Sequence, residues 1–191
     1  NVDRLRLRRG LDLFNAALSF QLNETVGLER LGADGATEDG GTTSLRLQSS
    51  GAQNPMAVVL EASDAGYLAE AFLDLDFIQG GTLDLTGTLA TESEPAKLNA
   101  QIRNARLRNA PFFTQILSLA SLRGLTDTLS GEGVLFSEID VPLTIGGGRY
   151  VIQGGRASGP ALGLILDYLA RRRGLEGGVG YTVASSGLIR A

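Results

Sequence analysis

Ile139-Asp140-Val141-Pro142-Leu143-Thr144-Ile145-Gly146-Gly147-Gly148 reads as a β-strand running into a hairpin turn. Successive side chains of a strand point to opposite faces. Ile139, Val141, Leu143 and Ile145 therefore share one face, and Asp140, Pro142 and Thr144 share the other. The three glycines supply the conformations a tight turn needs. They form no phosphate loop, because no Lys-Ser/Thr follows and a strand pattern, not a helix, comes next. Pro142 has no N–H to give to a ladder, which predicts an edge position for this strand or a start close to it.

The same period of two recurs on both sides of this stretch. Leu5 and Leu7 alternate with Arg4, Arg6 and Arg8, and Leu11 and Leu13 repeat the pattern after Gly10. Leu18, Phe20 and Leu22 alternate with Ser19, Gln21 and Asn23. Leu45 and Leu47 alternate with Ser44, Arg46 and Gln48, and Leu83 and Leu85 with Thr82, Asp84 and Thr86. Turns are expected at Asp34-Gly35 and Asp39-Gly40-Gly41. The unbroken apolar run Met56 to Leu60 reads as a strand covered on both faces.

Two segments depart from this period. Asp64 is placed to cap a short helix over about 64–73, with Leu68 and Phe72 four apart. Asn109 and Pro111 open a helical insertion over about 109–130. Its apolar face carries Phe112, Phe113, Ile116 and Leu117, which would pack against the sheet or plug one end of it. Residues 161–173 fit a helix through Leu162, Ile165, Leu166 and Leu169, and fit a strand equally through Leu162, Leu164, Leu166 and Tyr168. The strand–helix–strand rhythm of a parallel α/β sheet is absent. The expected class is mainly β: a curved, twisted antiparallel sheet forming one domain over 1–191, with these two helices.

Composition narrows the function classes. The 191 residues are 43% apolar and 20% charged, with 26 glycines against 5 prolines, which favours many turns over a disordered tract. The net charge of −4 argues against a nucleic-acid partner. With no histidine and no cysteine, imidazole catalysis, thiol nucleophiles and Cys/His zinc sites are excluded. No apolar run reaches the length needed to span a bilayer as a helix. The start at Asn1, without methionine or a signal pattern, reads as a fragment or a trimmed product.

The carboxylates Asp74 and Asp76, Asp84, and Glu132 and Glu138 mostly fall on the polar side of alternating strands. No nucleophile–base pair accompanies them, so the expectation is a non-enzyme. Asp34, Glu38 and Asp39 lack calcium-loop spacing and read as a polar hairpin loop. The clusters Arg4, Arg6, Arg8, Arg9 and Arg103, Arg106, Arg108, like Arg171-Arg172-Arg173, could meet anionic head groups. A solvated strand face that discourages edge aggregation explains them as well. The apolar faces would be core in a closed sandwich and the lining of a groove in an open sheet; alternation alone leaves both open.

From about Asn1 to Leu169 the chain resembles the C-terminal region of AsmA-like envelope proteins. The residues that carry the likeness come in a fixed order. Asp64-Ala65-Gly66-Tyr67-Leu68 looks like the family's turn into a short helix, and Gly80-Gly81-Thr82-Leu83-Asp84-Leu85 like its strand entry. Asn109-Ala110-Pro111-Phe112-Phe113 opens the insertion. Leu129-Ser130-Gly131-Glu132-Gly133-Val134-Leu135-Phe136 closes it, and Gly159-Pro160-Ala161-Leu162-Gly163-Leu164 starts the next strand. The likeness puts 161–169 in a strand and 171–174 in a hairpin turn. It fails at Gly180-Tyr181-Thr182-Val183-Ala184, where the family's proline is missing.

The resemblance implies a long open β-groove in the periplasm of Gram-negative bacteria, attached to the inner membrane through a segment outside this chain. It implies phospholipid transport toward the outer membrane, with lipid acyl chains as the partner and no cofactor or metal. The lining expected for such a groove is Leu83, Leu85, Ile139, Val141, Leu143, Leu162, Leu164 and Leu166. The competing expectations are an envelope assembly scaffold that uses exposed strand edges, and a closed β-sandwich structural module.

Overall fold

The computed structural model describes residues 2–8, 11–24, 27–49, 51, 54–73, 75–109, 133–160, 163–173 and 178–189, with side chains left out at 7, 8, 11 and from 163 onward. The expected helical insertion over 109–130, with Phe112, Phe113, Ile116 and Leu117, lies almost wholly outside these residues, as does Leu162.

Among the described residues twelve strands form one antiparallel, unclosed and curled sheet. They are β1 (Val2–Arg8), β2 (Leu11–Asn23), β3 (Gly27–Ala36), β4 (Thr42–Gln48), β5 (Ala57–Ala62), β6 (Ile78–Gln79), β7 (Thr82–Thr88), β8 (Ala96–Leu107), β9 (Val134–Gly146), β10 (Arg149–Ser158), β11 (Gly163–Arg173) and β12 (Gly178–Ile189). Each pairs with its successor, except that β5 pairs directly with β7, and β6 sits off this path on β8. The detour between β5 and β7 holds the helix α1 (Ala65–Leu73).

α1 is where the sequence places it. The Asp64 carboxylate accepts a hydrogen bond from the Tyr67 amide at 2.9 Å, the expected cap. Two further amides of the first turn donate to the β6–β7 connection, Ala65 to the Gly81 carbonyl at 2.7 Å and Gly66 to the Gly80 carbonyl at 3.2 Å. Gly80 and Gly81 both have positive φ, 60° and 82°, which suits residues without a Cβ. That double kink ends β6 and starts β7 while both stay paired to β8.

The main core gathers under α1. Ala65 and Leu68 join Ala62, Leu83, Ile102, Ala105, Leu107, Val134, Phe136 and Ile139 in one buried cluster. Ile102 and Ala105 are three residues apart, so simple alternation would send them to opposite faces. Asn104 between them has φ +56°, a left-handed conformation asparagine tolerates, and the kink turns both inward.

Several local expectations are corrected. β9 is an interior strand, between β8 and β10, despite Pro142. The β9–β10 register shifts between Ile152 and Arg156, opposite Val141 and Pro142, where β10 carries an extra residue and Gly154 has φ +68°. The missing N–H of Pro142 thus falls beside a bulge, the other place a sheet accepts proline. Asp34-Gly35 is no turn. Both residues lie inside β3, and the turn is at Thr37–Gly41, closed by the Thr37 amide on the Gly41 carbonyl at 2.7 Å.

β5 is covered on one face only, with Val58 buried and Val59 39% exposed. Residues 163–173 form a strand, as the family likeness implied, but it continues through Arg173, so 171–173 are not a turn. The Gly146–Gly148 turn holds as expected, with Gly147 and Gly148 at φ 57° and 69°, the hairpin pattern that demands positive φ at two central residues.

Candidate functional site

The ladder register lines the apolar residues up across the strands in three rows on one face of the sheet. The first runs Thr43, Ala62, Leu83, Ile102, Ile139, Ala157. The second runs Ala33, Leu45, Leu60, Leu85, Ala100, Val141. The third runs Leu31, Leu47, Val58, Gly87, Leu98, Leu143, Ile152. From β3 to β10 the third row crosses seven neighbouring strands, about 29 Å at ~4.8 Å per step.

α1 covers only part of this face. Leu83 and Ile139 are buried in the cluster that contains Leu68. Leu60, Leu85, Ala100 and Val141 pack against that cluster and stay partly open. Leu31, Leu47, Leu98, Leu143 and Ile152 are half-buried, while Val58 is buried. Among the described residues α1 is the sole helix, and no second sheet lies on the first. The second and third rows therefore make a contiguous apolar strip flanked on one side by a helix.

Of the residues expected to line a groove, Leu85, Val141 and Leu143 lie on this strip, and Leu83 and Ile139 lie beneath the helix. Leu164 and Leu166 are described by register alone, Leu164 opposite Ala157 and Leu166 opposite Gly155. Reading strand by strand missed Leu60, Ala100 and Leu98. The ladder brings them into the rows, and that pairing is non-local. Leu45 and Leu47 carry a visible alternation, but nothing local says which strand they join.

The opposite face is polar, and several of its charges are matched. Arg46 pairs with Asp34 at 2.8 Å and Arg103 with Asp84 at 2.5 Å. Arg6 meets Asp12 at 3.0 Å, Arg4 bonds the same carboxylate, and the Arg4 guanidinium lies 5.6 Å from the centre of the Phe14 ring. Asn99 donates to Asp140 at 2.9 Å. The Arg46 hydrogen bond holds the Asp34 carboxyl below the usual carboxylate range. Those from Arg6 and Arg4 do the same for Asp12. Burial raises the Tyr67 phenol above its ordinary value.

Arg4, Arg6 and Arg103 are thus engaged with carboxylates of their own sheet, which favours the solvated-face reading of those clusters over a head-group site. Asp34 sits in a strand pair, not in the hairpin loop expected to hold it with Glu38 and Asp39.

Two depressions of about 440 and 630 Å³ lie largely on this polar side. The smaller is lined by Thr86, Lys97, Asn99 and Thr144 among others, and the larger by Asp34, Glu61, Asp84 and Arg103 among others. They are shallow saddles on a twisted sheet. Their walls mix charged and hydroxyl-bearing side chains with apolar ones such as Pro142 and Val151, and neither is enclosed, so the contiguous apolar strip is the stronger candidate site.

Comparisons of the chain with protein-family models, with curated proteins and with solved structures find no match.

Proposed function

We propose that this chain is a non-catalytic lipid-handling module, in which the strip of Leu60, Leu85, Ala100, Val141, Leu98 and Leu143 receives phospholipid acyl chains. The observation that carries the reading is the half-covered apolar face. One helix of nine residues joins the buried cluster that holds Ala62, Leu83, Ile102 and Ile139 of the first row, and most residues of the two further rows stay partly exposed, with no second sheet over them among the described residues. The likeness to the C-terminal region of AsmA-like proteins supports the setting: the periplasm of a Gram-negative cell, in a conduit between inner and outer membrane.

The mechanism is one of solvation. Each methylene drawn from a bilayer into water costs about 0.8 kcal/mol, and leucine, valine and isoleucine side chains remove much of that cost. Dispersion contacts have no preferred direction, so a chain can slide from one strand to the next without a deep binding minimum. Head groups stay in water beside the strip. No covalent step is involved, which agrees with a sequence that has neither histidine nor cysteine.

The test is lipid occupancy. The protein, stripped of lipid, is incubated with phosphatidylethanolamine/phosphatidylglycerol vesicles, recovered and examined by native mass spectrometry. The wild type should carry phospholipid. Leu98→Asp and Leu143→Asp, which face each other across β8 and β9, should fold and lose most of it. Unchanged occupancy in both folded variants would sink the reading.

A further inference from the structure

Charge is placed unevenly along the chain. Residues 141–191 contain six arginines and two carboxylates, a net charge of +4. The whole chain carries −4, so residues 1–140 carry −8. Such an asymmetry points to an anionic partner for the basic part.

The fold gathers much of this charge at one end of the last strands. Arg149 opens β10 and stands directly opposite Arg171 of β11. Arg172 and Arg173 follow at the end of β11, paired in register with Val179 and Gly178 of β12. Like charges directly opposite in an antiparallel pair are destabilising, and an anion laid against them removes that cost. Elsewhere on the sheet Arg4, Arg6, Arg46 and Arg103 have carboxylates of their own. Arg149 is exposed and has none among the described residues.

The rows of the apolar face lead toward this end. Beyond Leu143 and Ile152 the third row continues by register through Tyr168 and Val183. A fourth row, further from α1, runs Ala96, Ile145, Tyr150, Ala170, Tyr181. Three of the four tyrosines in the chain thus fall in two adjacent rows. Arg149 and Arg171 come one residue further along β10 and β11. Along the strands the order is aliphatic, then tyrosine, then arginine. The same order is met on leaving the hydrocarbon of a bilayer: tyrosine is enriched at head-group level, and arginine is drawn to the anionic surface.

We propose that the end of the sheet carrying Arg149 and Arg171–Arg173 docks on a bilayer surface rich in anionic phospholipid, with Tyr150 at head-group level. A nucleic acid matches the arginines and tyrosines but leaves the aliphatic residues Leu143 and Ile152 in water. A bilayer meets all three. Lipid enters or leaves the strip at this end; that step rests on the acyl-chain reading, whereas docking is measured separately.

The full chain is mixed with phosphatidylglycerol vesicles or with phosphatidylcholine vesicles, and binding is read by co-sedimentation. It should bind the anionic vesicles and not the zwitterionic ones. Each arginine near an anionic surface contributes about a fivefold factor, so Arg171→Gln with Arg172→Gln and Arg173→Gln should weaken binding about a hundredfold. Arg30→Gln with Arg106→Gln and Arg108→Gln removes the same charge from other strands. It should change binding by about twofold at most, because distant charges are screened. The chain has no tryptophan, so Tyr150→Trp supplies a single fluorophore with every arginine in place. Its emission should shift to the blue on anionic vesicles, and that of Phe72→Trp, on α1, should not.

Equal binding to both vesicle types, equal loss in both triple variants, or an unshifted Tyr150→Trp emission would each overturn the proposal. Tight binding of single-stranded DNA, with no emission shift on vesicles, would assign the basic end to nucleic acid instead. Docking of the wild type without lipid occupancy would sink the acyl-chain reading alone, and occupancy without docking would sink this one alone.

Discussion

Gly66 sets two physical effects against each other, and their magnitudes decide the sign. It is the second residue of α1, and helix propensity alone favours alanine there by at most ~1 kcal/mol. The packing opposes this. A Cβ at Gly66 would stand 2.6 Å from the Ile78 carbonyl oxygen and 2.9 Å from the Gly80 amide nitrogen, both backbone atoms that no rotamer change can move. Forcing atoms into a packed site costs about 1–3 kcal/mol. Lifting the helix to relieve the clash stretches the Ala65 and Gly66 amide bonds to the glycine kink, at about 0.5–1.5 kcal/mol each.

The balance is a destabilisation of roughly 2 kcal/mol for Gly66→Ala, or about 1 M in the urea midpoint. Hydrogen exchange should show α1 opening more often while β8 and β9 keep their protection. The same variant should bind an acyl-chain fluorophore more readily, because displacing α1 uncovers Leu83, Ile102 and Ile139. A midpoint equal to or above that of the wild type would refute the close-packed docking of this helix.

Asp64→Ala removes the cap from Tyr67 and should cost about 1 kcal/mol by urea unfolding, with Asp64→Ser recovering most of it. Phe136 is fully buried at 0% exposure, so Phe136→Ala should cost about 3–5 kcal/mol and lower the thermal midpoint accordingly. Asp34 has its pKa lowered by Arg46. Its contribution is present above the unfolded carboxylate pKa of about 3.9 and is lost as pH falls through the folded value, that is, below about pH 4. Both partners are about half exposed, so the effect is a few tenths of a kcal/mol at most. Urea midpoints of wild type and Asp34→Asn should therefore differ slightly at pH 7 and draw together as the pH falls below about 4.

The elements that depend on local chemistry were legible in the sequence. Alternation at Leu83/Leu85 and Ile139–Ile145 marks strands because period two is a property of each strand by itself. The Asp64 cap and the Gly147-Gly148 turn are likewise decided within a few residues. What could not be read depends on a neighbour strand. Pro142 argues for an edge until β10 supplies a bulge beside it. Gly35 looks like a turn residue until Leu13 is seen to approach: a Cβ at Gly35 would lie 2.9 Å from the Leu13 Cβ, so the glycine serves close packing between β2 and β3. The strip itself was half legible. Leu85, Val141 and Leu143 are visible as alternating residues, whereas the burial of Ala62, Leu83, Ile102 and Ile139 in the cluster that α1 joins is a tertiary fact.

The two faces of this sheet differ in what they have left to offer. On the polar face Arg46, Arg103, Arg4 and Arg6 are matched to Asp34, Asp84 and Asp12, so much of its binding capacity is already satisfied within the sheet. On the apolar face most leucines of the second and third rows are half-buried and Val58 is buried, and among the described residues no second layer lies over them. Lateral shielding by cross-strand neighbours explains how side chains are half-buried in a single layer. It also means that an occupant laid across the strands removes remaining exposed surface without displacing any of the described residues. A flexible hydrocarbon chain suits that geometry, because the rows run across the strands and continue from one strand to the next. A rigid ligand would need a shape that the strip, flanked by a helix on one side only, does not define.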